Sequence, residues 1–418
     1  MSFSVFSDKS QLLPAFTKPY PDEVLSSWLT RLSFDHGLTQ ARLLKTLLTR
    51  RETNNWNVDR SFNKEYIETL AACTNCAASE ISNTTLQYYD GKLYEPKSDE
   101  IIPGIWTHKR YISKGRLYDN GNSEFGLLYC PGCFKASDKP VYFKKQWRLA
   151  VSFVCPDCGC YLRETCPHCK SGGTIHCEAL AKAIDKTVDE YLLTCHECGG
   201  NISEVDSEKA PAHLVRMQKA IYQIMERGNG EISSVSYFSV LYQMVCLLLS
   251  RTKENKLLGF IKDVYGRHSV PELNRHEHRQ EIHEIQIKQR ANLFYMAFWL
   301  LENWPHRFTN LCNKHSLKNL DVLAYFRGCP GWFLETMLEN AECPNRNLAP
   351  DHFEIEELDK YTVRMKDERI NRFLYDFDPD DNFYYYDNNI NSMDHGSHNC
   401  WRSKIIFKQL QEIESWYY

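Results

Sequence analysis

The hydrophobic pattern near the start of the chain predicts a first helix. The stretch EVLSSWLTRLSFDHG carries apolar residues at helical spacing. These residues are Val24, Leu25, Trp28, Leu29 and Leu32. Two prolines in the preceding KPYPDE keep the backbone out of a helix, so Asp22 is expected to cap the helix and Gly37 to end it.

A second amphipathic pattern follows at once. Thr39 can cap a helix over TQARLLKTLLTRR, with leucines inward and the basic residues Arg42 and Lys45 outward. Two helices joined by a tight glycine-containing turn are the outline of a helix-turn-helix. A helical bundle with a basic surface is the alternative interpretation.

The remaining pattern predicts three domains. A third helix over FNKEYIETLAAC and a short one beginning at Ser79 complete an N-terminal helix-turn-helix domain, 1–124. Residues 125–205 carry cysteine pairs and short β-type runs such as VYFKKQW and YLLTC, which predicts tandem zinc ribbons. Helical patterns return in the C-terminal domain, 206–418, and a loop precedes a final helix, SKIIFKQLQEIESWY. The expected fold is mainly α with small zinc-ribbon β elements.

Composition narrows the function classes. The net charge of -4 gives the chain as a whole no attraction to nucleic acid. Any DNA contact must therefore come from a local basic surface or from a partner protein. Apolar runs fall short of the roughly 20 residues that cross a bilayer, and the start lacks the order of a signal peptide. A soluble, cytoplasmic protein without a membrane partner is expected. With 17 cysteines, such a protein favours metal binding over disulfides.

Four C-x-x-C pairs in the middle segment are the candidate metal ligands. They are Cys130 with Cys133, Cys155 with Cys158, Cys166 with Cys169, and Cys195 with Cys198. A two-residue spacer lets one turn present two sulfurs to one zinc ion. Joining the first pair to the second and the third to the fourth encloses segments of ordinary ribbon length and predicts about two zinc ions per chain. Interleaved grouping, redox chemistry and simple burial are the alternatives.

The predicted zinc sites are structural and not catalytic, since four cysteines leave no open coordination position. Cys160 and Cys177 are expected to be ordinary small residues, with His168 and His196 as outside candidates for a ligand exchange. A fifth C-x-x-C pair, Cys73 and Cys76, follows a helical pattern and is interpreted as helix packing.

Other candidate chemistry is weak. The cluster RHEHRQEIHEI lacks the order of a zinc protease helix and is expected to begin a solvated helix. The chain has no P-loop, no nucleophile elbow and no nucleotide fingerprint. Catalytic residues are therefore not predicted. Dispersed carboxylates of a two-metal nuclease need no local spacing, so that alternative stays open.

Several stretches together resemble the TniQ family of transposon proteins. They are KPYPDEVLSSWLTRLSFDHGL, LAACTNCAASEISNTTLQYYDG and the cysteine-rich LLYCPGCFKASDKPVYFKKQWRLAVSFVCPDCGCYLRETCPHC. The last combines ligand spacing with QWR between the pairs; AFWLLENWPHRF resembles the C-terminal part of longer members more loosely. Cys158 stands where members usually have histidine, which would turn a three-cysteine, one-histidine site into a four-cysteine site.

The resemblance implies a non-enzymatic adaptor that selects a transposition target. Such proteins, which include TnsD-like and CRISPR-associated transposon members, recognise a DNA site or an RNA-guided effector. They recruit a TnsC-like AAA+ ATPase and, through it, the transposase. A homodimer is one arrangement in which such a chain would work. A free-standing zinc-containing DNA-binding regulator and a metal-dependent nuclease are the competing hypotheses.

If the chain reads DNA directly, the second helix is expected to face the duplex through Arg42 and Lys45. Lys144, Lys145 and Arg148 are expected to add phosphate contacts.

Overall fold

The structure, a computed structural model, describes only part of the chain. The described residues are 12–15, 17–48, 58–61, 64–93, 127–136, 140–172, 186–195, 197–249, 282, 285–315, 322, 330–340, 353–355 and 363–365. The chain forms two compact units. The first comprises Met1–Asp90, Arg110–Ala220 and Ile282–Lys288; the second comprises Gly91–Lys109, Ile221–Glu281 and Gln289–Tyr418. The three-domain division stays a prediction.

Two helices and a glycine turn open the first unit, as predicted. Helix α1 spans Leu25–Asp35 and α2 spans Gln40–Leu47. The five apolar residues predicted to face inward are all buried. Thr39 caps α2, because its Oγ1 accepts a hydrogen bond from the backbone N–H of Arg42 at 3.1 Å. Gly37, with φ of +62°, supplies the left-handed turn between the helices.

Three short helices pack against this pair. Helix α3 spans Val58–Ser61, α4 spans Lys64–Thr74 and α5 spans Ala78–Ser82, and a 3-10 helix follows over Leu86–Tyr89. Helices α4 and α5 correspond to the predicted third and fourth helices. All five α-helices contribute side chains to one hydrophobic cluster. The mainly helical prediction is therefore confirmed for this part of the chain.

A remote carboxylate caps the first turn of α1. Asp59, on α3, accepts a hydrogen bond from the backbone N–H of Ser26 at 2.7 Å and from the Ser26 hydroxyl at 2.9 Å. The N–H of Leu25 donates to the Thr84 carbonyl at 2.9 Å. The prediction that Asp22 caps this helix was wrong, because α1 begins at Leu25 and the Asp22 carboxylate instead accepts a hydrogen bond from Tyr142.

A buried ion pair also lies along α1. The Arg31 guanidinium is 2.6 Å from a Glu23 carboxylate oxygen, and both side chains are almost fully enclosed. Burial raises the pKa of Glu23 to about 7, and the nearby charge of Arg31 opposes that shift. Ser27 and the backbone N–H of Tyr20 donate further hydrogen bonds to this carboxylate. Every polar atom of the Glu23 side chain therefore has a partner in the interior.

The cysteine-rich segment is built from short elements. Helix α6 spans Pro131–Lys135, a second 3-10 helix spans Lys145–Arg148, and α7 spans Val188–Leu193. Strands β1, Val154–Cys155, and β2, Cys160–Tyr161, pair antiparallel with Cys155 opposite Cys160. The small β elements predicted for a zinc ribbon are therefore present in this hairpin.

Two predicted β-type runs in this segment were wrong. VYFKKQW ends in the second 3-10 helix, and YLLTC includes the end of α7. The reason for α7 is a capping box: Glu190 N–H donates to the Thr187 hydroxyl, and the Glu190 carboxylate accepts from Thr187 N–H. The spacing T-x-x-E just before the apolar run indicates the start of a helix. The alternation of apolar residues alone did not reveal this helix.

The helical patterns predicted after Pro211 are also confirmed where residues are described. The helices are α8, Ala212–Arg227; α9, Ser234–Leu249; α10, Ile287–Leu301; α11, His306–His315; and α12, Gly331–Asn340. Strands β3, Phe353–Ile355, and β4, Val363–Met365, pair antiparallel. The predicted final helix lies outside the described residues. Among the described helices, none is both long enough and apolar enough to cross a membrane.

The buried Asp59 carboxylate generates a stability prediction. Its Oδ2 is 3.4 Å from Arg148 Nε, with both side chains enclosed. We expect Asp59→Ala to lower the free energy of unfolding by about 3–5 kcal/mol, because it removes both the cap of α1 and a carboxylate that faces the buried Arg148 guanidinium. Denaturant titration measures this change.

The matched control is Glu68→Ala, which removes a carboxylate from an exposed pair with Lys64 on α4. That change should stay within about 0.5 kcal/mol. Equal effects of the two substitutions would contradict a structural role for the Asp59 network.

Candidate metal centres

The first cluster brings together the sulfurs of Cys130, Cys133, Cys155 and Cys158, all within 4.8 Å of one another. Cys133 Sγ lies 3.5 Å from Cys155 Sγ and 3.6 Å from Cys158 Sγ. A disulfide bond is much shorter, about 2.05 Å. Four sulfurs about 2.3 Å from one zinc ion would be about 3.8 Å apart. The spacing therefore fits a tetrahedral zinc site without a disulfide.

Two tight turns present the four sulfurs of this first cluster. Cys130 is the N-cap of α6, and its sulfur accepts a hydrogen bond from the backbone N–H of Cys133 at 3.4 Å. Cys155 ends β1, and the N–H of Gly159 donates to its carbonyl at 2.8 Å. Gly159 has φ of +63°, which the reversal between β1 and β2 requires. Each C-x-x-C pair thus forms one tight turn, and the two turns direct their four sulfurs to the same site.

The first cluster is set into a hydrophobic core. The core contains buried cysteines, aliphatic residues and aromatic side chains, among them Tyr129, Phe134, Phe143 and Trp147. The Phe134 and Trp147 rings meet edge to face with centroids 5.6 Å apart. Trp147 belongs to the QWR run between the ligand pairs, and it is 1% exposed. The sequence between the pairs therefore supplies packing for the metal site.

The second cluster contains Cys166, Cys169, Cys195 and Cys198, again with all sulfurs within 4.8 Å. Cys166 Sγ lies 3.8 Å from Cys198 Sγ, and Cys169 Sγ lies 3.7 Å from Cys195 Sγ. These distances match the edge expected for four thiolates around zinc.

Its two turns repeat one hydrogen-bond pattern. The N–H of Lys170 donates to the Cys166 carbonyl at 3.1 Å, and the N–H of Gly199 donates to the Cys195 carbonyl at 2.9 Å. Lys170 and Gly199 both have positive φ. The second cluster is therefore assembled from two similar knuckles, one after β2 and one after α7.

The donor set suits a zinc ion in both clusters. Zinc binds cysteine as the thiolate, and four thiolates close its coordination shell. Hydrogen bonds within the first cluster lower the pKa of Cys155 and raise the pKa of Cys130, because the two share protons. A hydrogen bond from the Ser171 hydroxyl lowers the pKa of Cys169 to about 6. The clusters can therefore hold metal ions in closed, structural sites.

The structure brings the eight cysteines together in the predicted grouping, and not in an interleaved one. Cys160 Sγ lies 3.5 Å from Cys130 Sγ, outside the set of four. His168 Nε2 is 3.0 Å from the backbone carbonyl oxygen of Asn201. Cys177 and His196 lie outside the described residues, as does most of RHEHRQEIHEI.

The fifth C-x-x-C pair lies elsewhere. Cys73 and Cys76 are each 5% exposed and belong to the hydrophobic cluster of α1–α5. The backbone carbonyl of Cys73 accepts a hydrogen bond from Leu13 N–H at 2.8 Å. This placement agrees with the interpretation that the pair serves helix packing.

The predicted nucleic-acid contacts divide into two groups. Arg42 and Lys45 are exposed on α2, so their role stays a prediction. Lys145 and Arg148 are 6% and 1% exposed, which corrects the expectation that they contact phosphates. Lys144 is half-buried and forms ion pairs with Asp22 and Asp157, so its charge is already balanced within the protein.

The two buried cations serve the fold. The Lys145 ammonium donates to the Asn83 carbonyl at 2.7 Å and lies 3.6 Å from the centre of the Tyr88 ring. Arg148 pairs with Asp59. The sequence analysis did not identify Asp59. Its partners Ser26 and Arg148 are remote in sequence, so no local motif predicts their contact.

One comparison with known proteins gives a match. Residues 14–162 match the TniQ family model, a region that runs from before α1 through the first cysteine cluster and β2. The second cluster lies beyond that region. No curated protein matches the chain.

The geometry generates a metal prediction. We expect purified protein to contain about two zinc ions per chain by elemental analysis, one for each closed cluster. Cys133→Ser should lose the first of them and destabilise the cysteine-rich segment, because metal binding and folding of such sites are coupled.

The control is Cys73→Ser, which changes a cysteine outside both clusters and should leave the zinc content unchanged. One zinc or none in the unmodified chain, or zinc loss from Cys73→Ser, would contradict the assignment.

Proposed function

The chain carries a TniQ domain, and from this premise we propose that it is a target-selection adaptor of a transposon. The observation that carries the proposal is the family match, which covers α1–α5 and the first cysteine cluster together. In this role the chain links a target to the transposition machinery without catalysing strand cleavage or joining itself. Closed metal sites support that view, since they offer no open position for chemistry.

The surface of α2 supports a local contact with DNA. Arg42 and Lys45 are exposed, they lie three residues apart on one helix, and the neighbouring Leu43 and Leu44 hold the opposite face in the core. Exposed cations at that spacing can contact phosphates without a positive net charge on the whole chain.

The partners proposed for the adaptor are a TnsC-like AAA+ ATPase and either a DNA site or a CRISPR effector complex. Buried ion pairs and the two cysteine clusters cross-link the first unit, and a preorganised surface loses less entropy when it docks on partners. A second copy of the chain is a further candidate partner.

DNA binding through α2 has a quantitative test. We expect the double substitution Arg42→Glu and Lys45→Glu to weaken duplex binding and to reduce the slope of log K against log salt concentration by about 2, one per lost phosphate contact. Fluorescence anisotropy over a salt series measures both quantities.

Lys64→Glu on α4 is the matched control, because it reverses an exposed charge on a different helix. An unchanged salt slope in the α2 variant would contradict direct reading by α2. Binding only in the presence of a purified effector complex would instead support the RNA-guided form of the adaptor.

Recruitment is tested directly. We expect the transposon's ATPase to be retained on immobilised target only when this chain is present, because the adaptor bridges the two. The same chain should leave duplex and single-stranded DNA intact with Mg²⁺ or Mn²⁺.

Strand cleavage would favour the nuclease hypothesis. Sequence-specific DNA binding combined with failure to retain the ATPase would favour a free-standing zinc-containing DNA-binding regulator. These two results therefore separate the adaptor from both of its competitors.

A further inference from the structure

The two cysteine clusters differ in their exposure to solvent. In the first, Cys130 and Cys155 are 0% and 1% exposed, and the other two ligands are half-buried. In the second, Cys166 and Cys195 are buried, whereas Cys169 and Cys198 are exposed. Because the four sulfurs of a cluster lie within 4.8 Å of one another, the two exposed ones form an open edge of the second site.

We propose that the second cluster is an exchangeable zinc site, and that the first is a permanent one. The ligand is the zinc ion itself, which leaves and re-enters across the edge formed by Cys169 and Cys198. Solvent access around a metal site controls how readily a competing ligand reaches the ion. The inference rests on the two clusters and is independent of the role in transposition.

The first site is closed from several directions. All four of its ligands pack in the hydrophobic cluster, whereas only Cys166 and Cys195 of the second site do. The segment 208–210 runs beside the β1–β2 hairpin. Tyr161 N–H donates to the Glu208 carbonyl at 2.9 Å, and Ala210 N–H donates to the Gly159 carbonyl at 3.0 Å. Lys209 Nζ donates to the Cys158 carbonyl at 3.0 Å. These contacts cover the hairpin side of the site, and its ligands are less exposed than those of the second site, so a chelator is expected to reach this ion more slowly.

In the second site a neighbouring hydroxyl favours the release of the Cys169 sulfur from zinc. The Ser171 hydroxyl lies 3.1 Å from Cys169 Sγ and 3.5 Å from Cys195 Sγ. A hydrogen bond from a hydroxyl is stronger to a free thiolate than to a thiolate that shares its charge with zinc, so it stabilises the detached ligand more than the bound one. Detachment of Cys169 from zinc therefore costs less than detachment of a thiolate without such a donor.

The two knuckles of the second site also hold together without metal. The ring of His168 lies against Gly200, so closely that a Cβ at position 200 would be 2.5 Å from it. His168 Nε2 also contacts the Asn201 carbonyl. This packing keeps the ligands near one another after zinc leaves, which allows the ion to return.

Zinc transfer to an excess of a chromogenic chelator tests the proposal on the full chain. We expect two phases of about one zinc ion each, with rates that differ by about tenfold or more. Cys198→Ser should abolish the fast phase and keep the slow one. Cys73→Ser, outside both clusters, should keep both phases.

Thiol alkylation assigns the phases in the unmodified chain, so the test does not depend on the folding of a variant. Iodoacetamide added after the fast phase should modify Cys169 and Cys198, as located by peptide mass spectrometry, and spare Cys130 and Cys155. A single release phase, early modification of Cys130 or Cys155, or a content below two zinc ions would overturn the proposal. None of these results bears on ATPase recruitment, so this inference and the adaptor proposal fail separately.

Discussion

The Asp59 carboxylate lies where three separate parts of the first unit meet. It accepts hydrogen bonds at the N-terminus of α1, it stands on α3, and it pairs with Arg148 from the second 3-10 helix. A carboxylate at a helix N-terminus is favoured by the helix dipole, and the guanidinium supplies a compensating charge. If any one of the three parts moves, a buried charge or donor loses its partner. The N-terminal helices and the cysteine-rich segment are therefore held in one arrangement.

The short run KQWR couples that network to the first metal centre. Lys145 reaches the Asn83 and Pro21 carbonyls, Trp147 enters the core around the cysteines, and Arg148 reaches Asp59. Three side chains of one short 3-10 helix thus enter three different parts of the interior. The run lies between the two ligand pairs, so closure of the metal site fixes the ends of the segment that carries it. The TniQ match covers both of these parts of the chain, the helices and the first cluster.

Local spacing made part of this arrangement predictable. The C-x-x-C pairs, the amphipathic face of α1 and the Thr39 cap depend on residues close in sequence, and their positions were predicted. The ion pairs of Asp59 and Glu23 could not be predicted this way, since they depend on contacts that only the folded chain creates. The same limit explains the error over Lys145 and Arg148. The sequence does not show whether a basic residue among aromatic ones is exposed or buried. Lys145 and Arg148 are buried because a carbonyl and a carboxylate from distant parts of the chain pair with them.

Cys158, where the resemblance to the TniQ family leads us to expect a histidine, matches its surroundings in this chain. A Cβ at Gly132 would lie 3.0 Å from both Cβ and Sγ of Cys158, so the first knuckle approaches this ligand closely and has no side chain there. A cysteine also carries its sulfur nearer to the backbone than a histidine carries its ring nitrogens, which suits that short approach. Four thiolates around zinc leave a net charge of about -2, one unit more negative than three thiolates and a histidine. The ammonium of Lys209, held on the Cys158 carbonyl at 3.0 Å, lies where it can offset the added charge.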